Sequence, residues 1–199
     1  DLGDRPLAVI CQDDLAAKRL QGELKAFLGQ EPPVLPGRDL NLYDAAVVSR
    51  VWEQRRLRQL YDLGKGQTRL QIFSWESMSL RTMPKSALFA AAFQLRLGVQ
   101  VSVEELLARL VAMGYSRAPM VEGPGQFALR GGILDLYSPA EGQPVRVEFF
   151  GDELDTMGYF DPNTQRRTEN VEEITVLPVA ESQPGLHPGG IPGLQRDLQ

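Results

Sequence analysis

Residues 125–181, GQFALRGGILDLYSPAEGQPVRVEFFGDELDTMGYFDPNTQRRTENVEEITVLPVAE, constrain the fold more than any other stretch. Apolar and polar residues alternate there, and Gly, Pro, Asp and Asn fall between the runs, a pattern that predicts four or five short strands joined by turns. In one strand Val145, Val147 and Phe149 form the buried row. The two-residue period of side chains then puts Arg146, Glu148 and Phe150 on the opposite face. Phe150 is out of place on a polar face, and an aromatic ring beside an arginine is the composition of a protein-binding patch. The same alternation buries Phe127 and Leu129 and turns Arg130 outward, just before the Gly131-Gly132 pair where the chain can turn or bulge. Arg130, Arg146 and Phe150 can therefore meet on one surface.

Upstream, the pattern changes to strand followed by helix. Residues 6–11 (PLAVIC) are a short apolar run suited to a strand buried on both faces of a parallel sheet. Residues 12–28 carry Leu15, Leu20, Leu24, Phe27 and Leu28 near helical spacing, with Asp13 or Asp14 to cap the start. The Pro-rich residues 31–37 hold at most a two- or three-residue strand at Val34-Leu35. A helix is predicted over about 45–63, closed by Gly64, then a strand over 69–75 and a short helix or turn over 76–81. Residues 84–93 fit either a short helix or a buried strand, and QLRLGVQV reads as strand and turn. The clearest helix spans 102–114: Ser102 and Glu105 make a capping box, Leu106, Leu107, Leu110 and Met113 the apolar face, and Gly114 the stop.

The chain thus reads as an α/β half followed by a small α+β domain, one main helix packed on a mainly antiparallel sheet. Its boundary falls near residues 83–93, giving segments 1–88 and 89–181 and a Gly/Pro-rich linker over 182–199. A length of 199 residues with 43% hydrophobic content suffices for one good core or two modest ones. The formal net charge of -5 argues against a general nucleic-acid binder and makes a protein partner the better expectation. Cys11, the single cysteine, excludes an internal disulfide, and neither a CxxC metal pair, a signal peptide nor an apolar run of about 18 residues is present. A cytoplasmic chain with no membrane association is expected.

Motifs for chemistry are lacking. A phosphate-binding loop needs GxxxxGK[ST], and the nearest candidate, Gly64-Lys65-Gly66-Gln67-Thr68, fails twice, because Gln59 stands at the first glycine and Gly66 at the hydroxyl position. The carboxylates of Asp152 and Asp161 lie in acidic loops without an apolar frame for acid-base work. His187, the only histidine, reads as an exposed residue of the loose tail. No catalytic residue, cofactor or metal is expected. The basic run Arg50, Arg55, Arg56 and Arg58 fits a solvated helix face better than a DNA-contacting stripe.

The runs ALRGGILDLYSP, VRVEFFGDELD, FDPNTQRR and VEEITVLPVAE resemble the amino-terminal part of the bacterial transcription-repair coupling factors and, more distantly, the excinuclease subunit UvrB. The TQR of FDPNTQRR favours the former, since the UvrB pattern usually turns through a TG pair, and the aromatic-rich DNA-clamping hairpin of UvrB is not visible. The resemblance implies a degenerate RecA-like half that has lost its motor residues, lacking the helix that precedes it in the family. It is followed by a domain gripped by the repair protein UvrA, and Arg130, Arg146 and Phe150 match the family positions that contact UvrA. By the same resemblance, the motor and the RNA polymerase- and double-stranded-DNA-binding parts of a parent translocase lie beyond residue 199. The alternatives are the homologous region of UvrB itself, or a degenerate helicase domain retaining nucleotide or DNA binding.

Overall fold

In the computed structural model, the residues described are 5–37, 50–181 and 189–197. The chain forms two compact units, Asp1–Lys85 and Ser86–Gln199.

The first unit alternates strands and helices: β1 (Leu7–Cys11), α1 (Asp14–Leu28), β2 (Val34–Leu35), α2 (Arg50–Gly64), β3 (Leu70–Ser74) and α3 (Trp75–Ser79). The strands run parallel in the order β1-β3-β2. Asp13 caps α1, its carboxylate accepting the Ala16 N–H at 2.7 Å, and Gly29 ends the helix at φ +69°. Two expectations are corrected here. β1 is an outer strand rather than one buried on both faces, and Leu7 and Ile10, which point to opposite faces of it, are both exposed. Helix α1 buries Ala17, whereas Leu15, Phe27 and Leu28 of its expected apolar face are exposed.

Helix α2 runs through Gly64, and the left-handed residue after it is Gly66, at φ +71°. Residues 45–49 of the expected helix lie outside the described residues. The solvated face expected of α2 fails at Arg56, which is buried and donates from Nη1 to the Pro36 carbonyl at 2.9 Å. Arg58 lies 3.6 Å from Asp62 one turn on, so the basic run does not form a continuous stripe.

The second unit comprises α4 (Lys85–Ala91, starting at the division), β4 (Phe93–Arg96), α5 (Val103–Ala112), β5 (Ser116–Arg117), β6 (Gln126–Arg130), β7 (Ile133–Leu136), β8 (Val145–Phe150), β9 (Glu153–Phe160), β10 (Arg167–Asn170), β11 (Glu173–Val176) and α6 (Gly190–Asp197). The ambiguous residues before β4 are helical. Strands β10-β9-β8-β7-β6-β5 make one sheet, antiparallel except for the β5–β6 pair, and β11 pairs with β4 in a second. Residues 125–181 therefore hold six strands rather than four or five, because the charged β10 adds an outer strand that apolar alternation does not reveal.

The Ser102 hydroxyl accepts the Glu105 N–H, starting α5, and Gly114 at φ +88° stops it. Leu106, Leu110 and Met113 pack against Phe127, Leu134 and Val147 from the inner face of the large sheet. Where a linker was expected, residues 190–197 form α6; Pro192 falls in its first turn, where a missing N–H leaves no helical bond unmade. His187 lies outside the described residues.

Candidate partner-binding face

The outer face of the large sheet carries the three residues singled out from the sequence. Strand alternation puts Val145 and Val147 inward at 1% and 0% exposure, and Phe149 stays packed against the core across a bulge in the β8–β9 register. Phe150, one residue on, ends β8 before the Gly151 turn and is 82% exposed. On β6, Phe127 is buried, Leu129 packs against the same core, and Arg130 points outward. The β6–β7 hairpin turns through Gly131, whose φ of +59° suits the first loop position of a two-residue hairpin and favours glycine.

Register sets the neighbours. Ala128, Asp135, Arg146 and Gly158 lie in one cross-strand row, and Arg130, Ile133, Glu148 and Thr156 in the next. Arg146 grips Asp135 with two parallel bonds, Nε to Oδ1 at 2.7 Å and Nη2 to Oδ2 at 2.9 Å. Its other contacts are the Gln165 carbonyl and side-chain oxygen, at 3.2 and 3.1 Å, and the Phe160 ring, 4.7 Å from the guanidinium carbon to the centroid. The hydrogen bonds to Asp135 push the Arg146 pKa above the ordinary guanidinium value, against the opposing effect of its burial. Arg130 donates one Nη2 bond to the same Oδ2 at 2.5 Å while its side chain remains 47% exposed.

The three residues therefore share a face but not a role. Arg130 and Phe150 present surface to solvent, and Arg146 is turned into the protein. Sequence reading passed over Asp135, and over Ile133, which is 36% exposed between Arg130 and Glu148. An Asp in an otherwise apolar ILDL run directly opposite an arginine is the signal for the first, legible once the register is known. Arg167 closes the face on the β10 side, donating to Glu148 Oε1 and Thr156 Oγ1, both at 3.0 Å. Gln165 is held at φ +60° by the Asp161 turn, in which its N–H donates to the Asp161 carbonyl at 2.7 Å.

The arrangement contains a buried carboxylate neutralised by guanidinium groups, an exposed arginine paired across the hairpin with the half-exposed Ile133, and the exposed Phe150 at the end of β8, the makings of a protein contact. Among the described residues there is no cluster of acidic, His or Cys side chains able to hold a metal.

The UvrB interaction domain family matches residues 93–181, which takes in β4 to β11 and the whole of this face. Fold and site thus define the second unit as carrying a UvrB interaction domain. Similarity extends over most of the chain to the transcription-repair-coupling factor of Myxococcus xanthus, 34% identical over 185 residues, covering 88% of this chain and 15% of that protein. The transcription-repair-coupling factor of Staphylococcus aureus strain USA300 is 31% identical over 179 residues, covering 89% and 15%. That of Staphylococcus haemolyticus strain JCSC1435 is 46% identical over 87 residues, covering 44% and 7%. These relatives are all transcription-repair-coupling factors, and the chain spans 15% of the length of the first two of them.

Proposed function

We propose that this chain is a non-catalytic recruitment module of a transcription-repair coupling factor, presenting to UvrA a surface like that of UvrB. The observation that carries the reading is the outward pair Arg130 and Phe150, fixed on a rigid antiparallel sheet inside the matched UvrB interaction domain. Aromatic and arginine side chains dominate interface energetics, and Phe150 at 82% exposure has little structural reason to be where it is. Arg146 belongs to the same site as the residue behind the contact. In the parent protein, RNA polymerase, duplex DNA and ATP-driven translocation belong to other regions, and the setting is the cytoplasm. Within the chain, residues 1–88 form a degenerate RecA-like half and residues 89–181 the UvrA-interaction domain.

The first unit needs no cofactor in this reading. Its Gly64–Thr68 segment leads from a helix into a strand, whereas a phosphate loop leads from a strand into a helix. The test of recruitment is calorimetric titration of the chain with purified UvrA. The wild type binds, and Arg130→Ala and Phe150→Ala each cost about 2 kcal/mol of binding with the melting temperature unchanged. Absence of wild-type binding sinks the proposal.

A further inference from the structure

The carboxylate of Asp135 is 1% exposed and faces two guanidinium groups, yet one would satisfy it. Arg146 alone supplies a bidentate pair of bonds that neutralises the charge. Arg130 is a second cation on an oxygen already bonded, and two guanidinium groups around one carboxylate leave the cluster net positive. For folding alone the second cation adds little, since its attraction to Asp135 is offset by repulsion from Arg146 and both are screened by solvent. It becomes useful where a further anion arrives from outside.

We propose that Asp135 is a positioning residue of the partner-binding face, holding Arg130 so that its remaining N–H groups point outward to a carboxylate on the partner. The inference rests on the recruitment reading and adds to it a residue that does not touch the partner. The support runs inward in a chain: the Asp161 turn fixes Gln165, Gln165 and the Phe160 ring fix Arg146, Arg146 fixes the carboxylate, and the carboxylate fixes Arg130. Arg130 is the more exposed of the two guanidinium groups, 47% against 18% for Arg146, and with one N–H engaged it keeps the larger share of its donors for a ligand. Holding it beforehand removes part of the side-chain ordering that binding otherwise requires.

The experiment compares the wild type, Asp135→Asn, Arg130→Ala and the double variant in calorimetric titrations with UvrA. Asn preserves the volume of Asp135 and removes its charge. The expected result is binding about tenfold weaker for Asp135→Asn, but less than about twofold further weakening when it is added to Arg130→Ala, because the two act as a unit. A loss of equal size in both backgrounds shows that Asp135 acts through the fold and not through Arg130, and overturns the proposal, as does binding equal to wild type. A second arm needs no partner: phenylglyoxal modification followed by peptide mass spectrometry. In the wild type, Arg130 reacts several-fold more slowly than the exposed Arg117 on β5, and Asp135→Asn abolishes the difference. Equal rates at Arg130 and Arg117 in the wild type overturn the hold itself, whatever the stability of the variant. Failure of the wild type to bind UvrA while Arg130 stays protected overturns recruitment and leaves the hold standing.

Discussion

Arg146 directs most of its guanidinium into its own chain, and this separates it from Arg130 at the level of single residues. Arg146→Ala removes the bidentate partner of a carboxylate that has no access to water, and breaking a buried pair from one side leaves the other charge uncompensated. The expected loss of stability is about 2–3 kcal/mol, less than for a fully enclosed pair because Arg130 still reaches Asp135 and because Arg146 is itself partly exposed. Arg130→Ala, by contrast, removes an exposed partner and costs about 0–1 kcal/mol. Urea titrations of the two variants read the difference as separate shifts of the midpoint at constant slope; equal midpoints refute it. Strand alternation was enough to bring Arg130, Arg146 and Phe150 to one face from the sequence. It was silent on which of them is free, because the partner of Arg146 lies on another strand, and only the β7–β8 register puts Asp135 opposite it.

The outer pair β9–β10 shows the same limit for elements. Its register shifts between Arg167 and Glu169, and Gly158 lies opposite Asn170. A Cβ at Gly158 would lie 2.6 Å from the Glu169 carbonyl oxygen and 3.1 Å from the Arg167 side chain. The obstacle includes backbone, so Gly158→Ala has to part the strands at a cost of about 1–3 kcal/mol. Backbone amides of β10 then lose hydrogen-exchange protection while those of β6 and β7 keep theirs; undisturbed β10 amides would show that the strand is not held by this approach. Elements whose signals are local were readable: α5 from its Ser102 cap, apolar period and Gly114 stop, and β6 to β9 from alternation between glycine turns. β10 has four exposed residues and no apolar row to announce it. Residues 190–197 contain Gly and Pro yet coil into α6, since proline interrupts a helix only beyond its first turn.

For the whole molecule, the burial is unequal between the two units. Among the described residues, the buried apolar side chains of the first unit are Ala17, Leu35, Leu57 and Ile72, while Leu7, Ile10, Leu15, Phe27 and Trp75 remain exposed. The core joining α5 to the large sheet belongs wholly to the second unit. A sequence cannot reveal this asymmetry from periodicity, because β1 and α1 have the apolar residues of buried elements, and periodicity does not say how much of an apolar face other elements cover. If the first unit has no nucleotide site, millimolar ATP with magnesium leaves the melting profile in place; a stabilising shift would support the degenerate-helicase reading, since a ligand that binds only the folded state raises its stability. Independently of any ligand, stability should follow burial. Each buried apolar side chain contributes about 1.5–3 kcal/mol before the entropy of ordering the chain is subtracted, so the second unit has the larger reserve. Amides of β1 and β3 are expected to exchange through openings of lower free energy than those of β7 and β8, with the difference maintained as denaturant is added. Convergence of both sets on one common opening at all denaturant concentrations would mean that the chain unfolds as a single cooperative body, and would refute the inference that the binding face stays folded when the first unit opens.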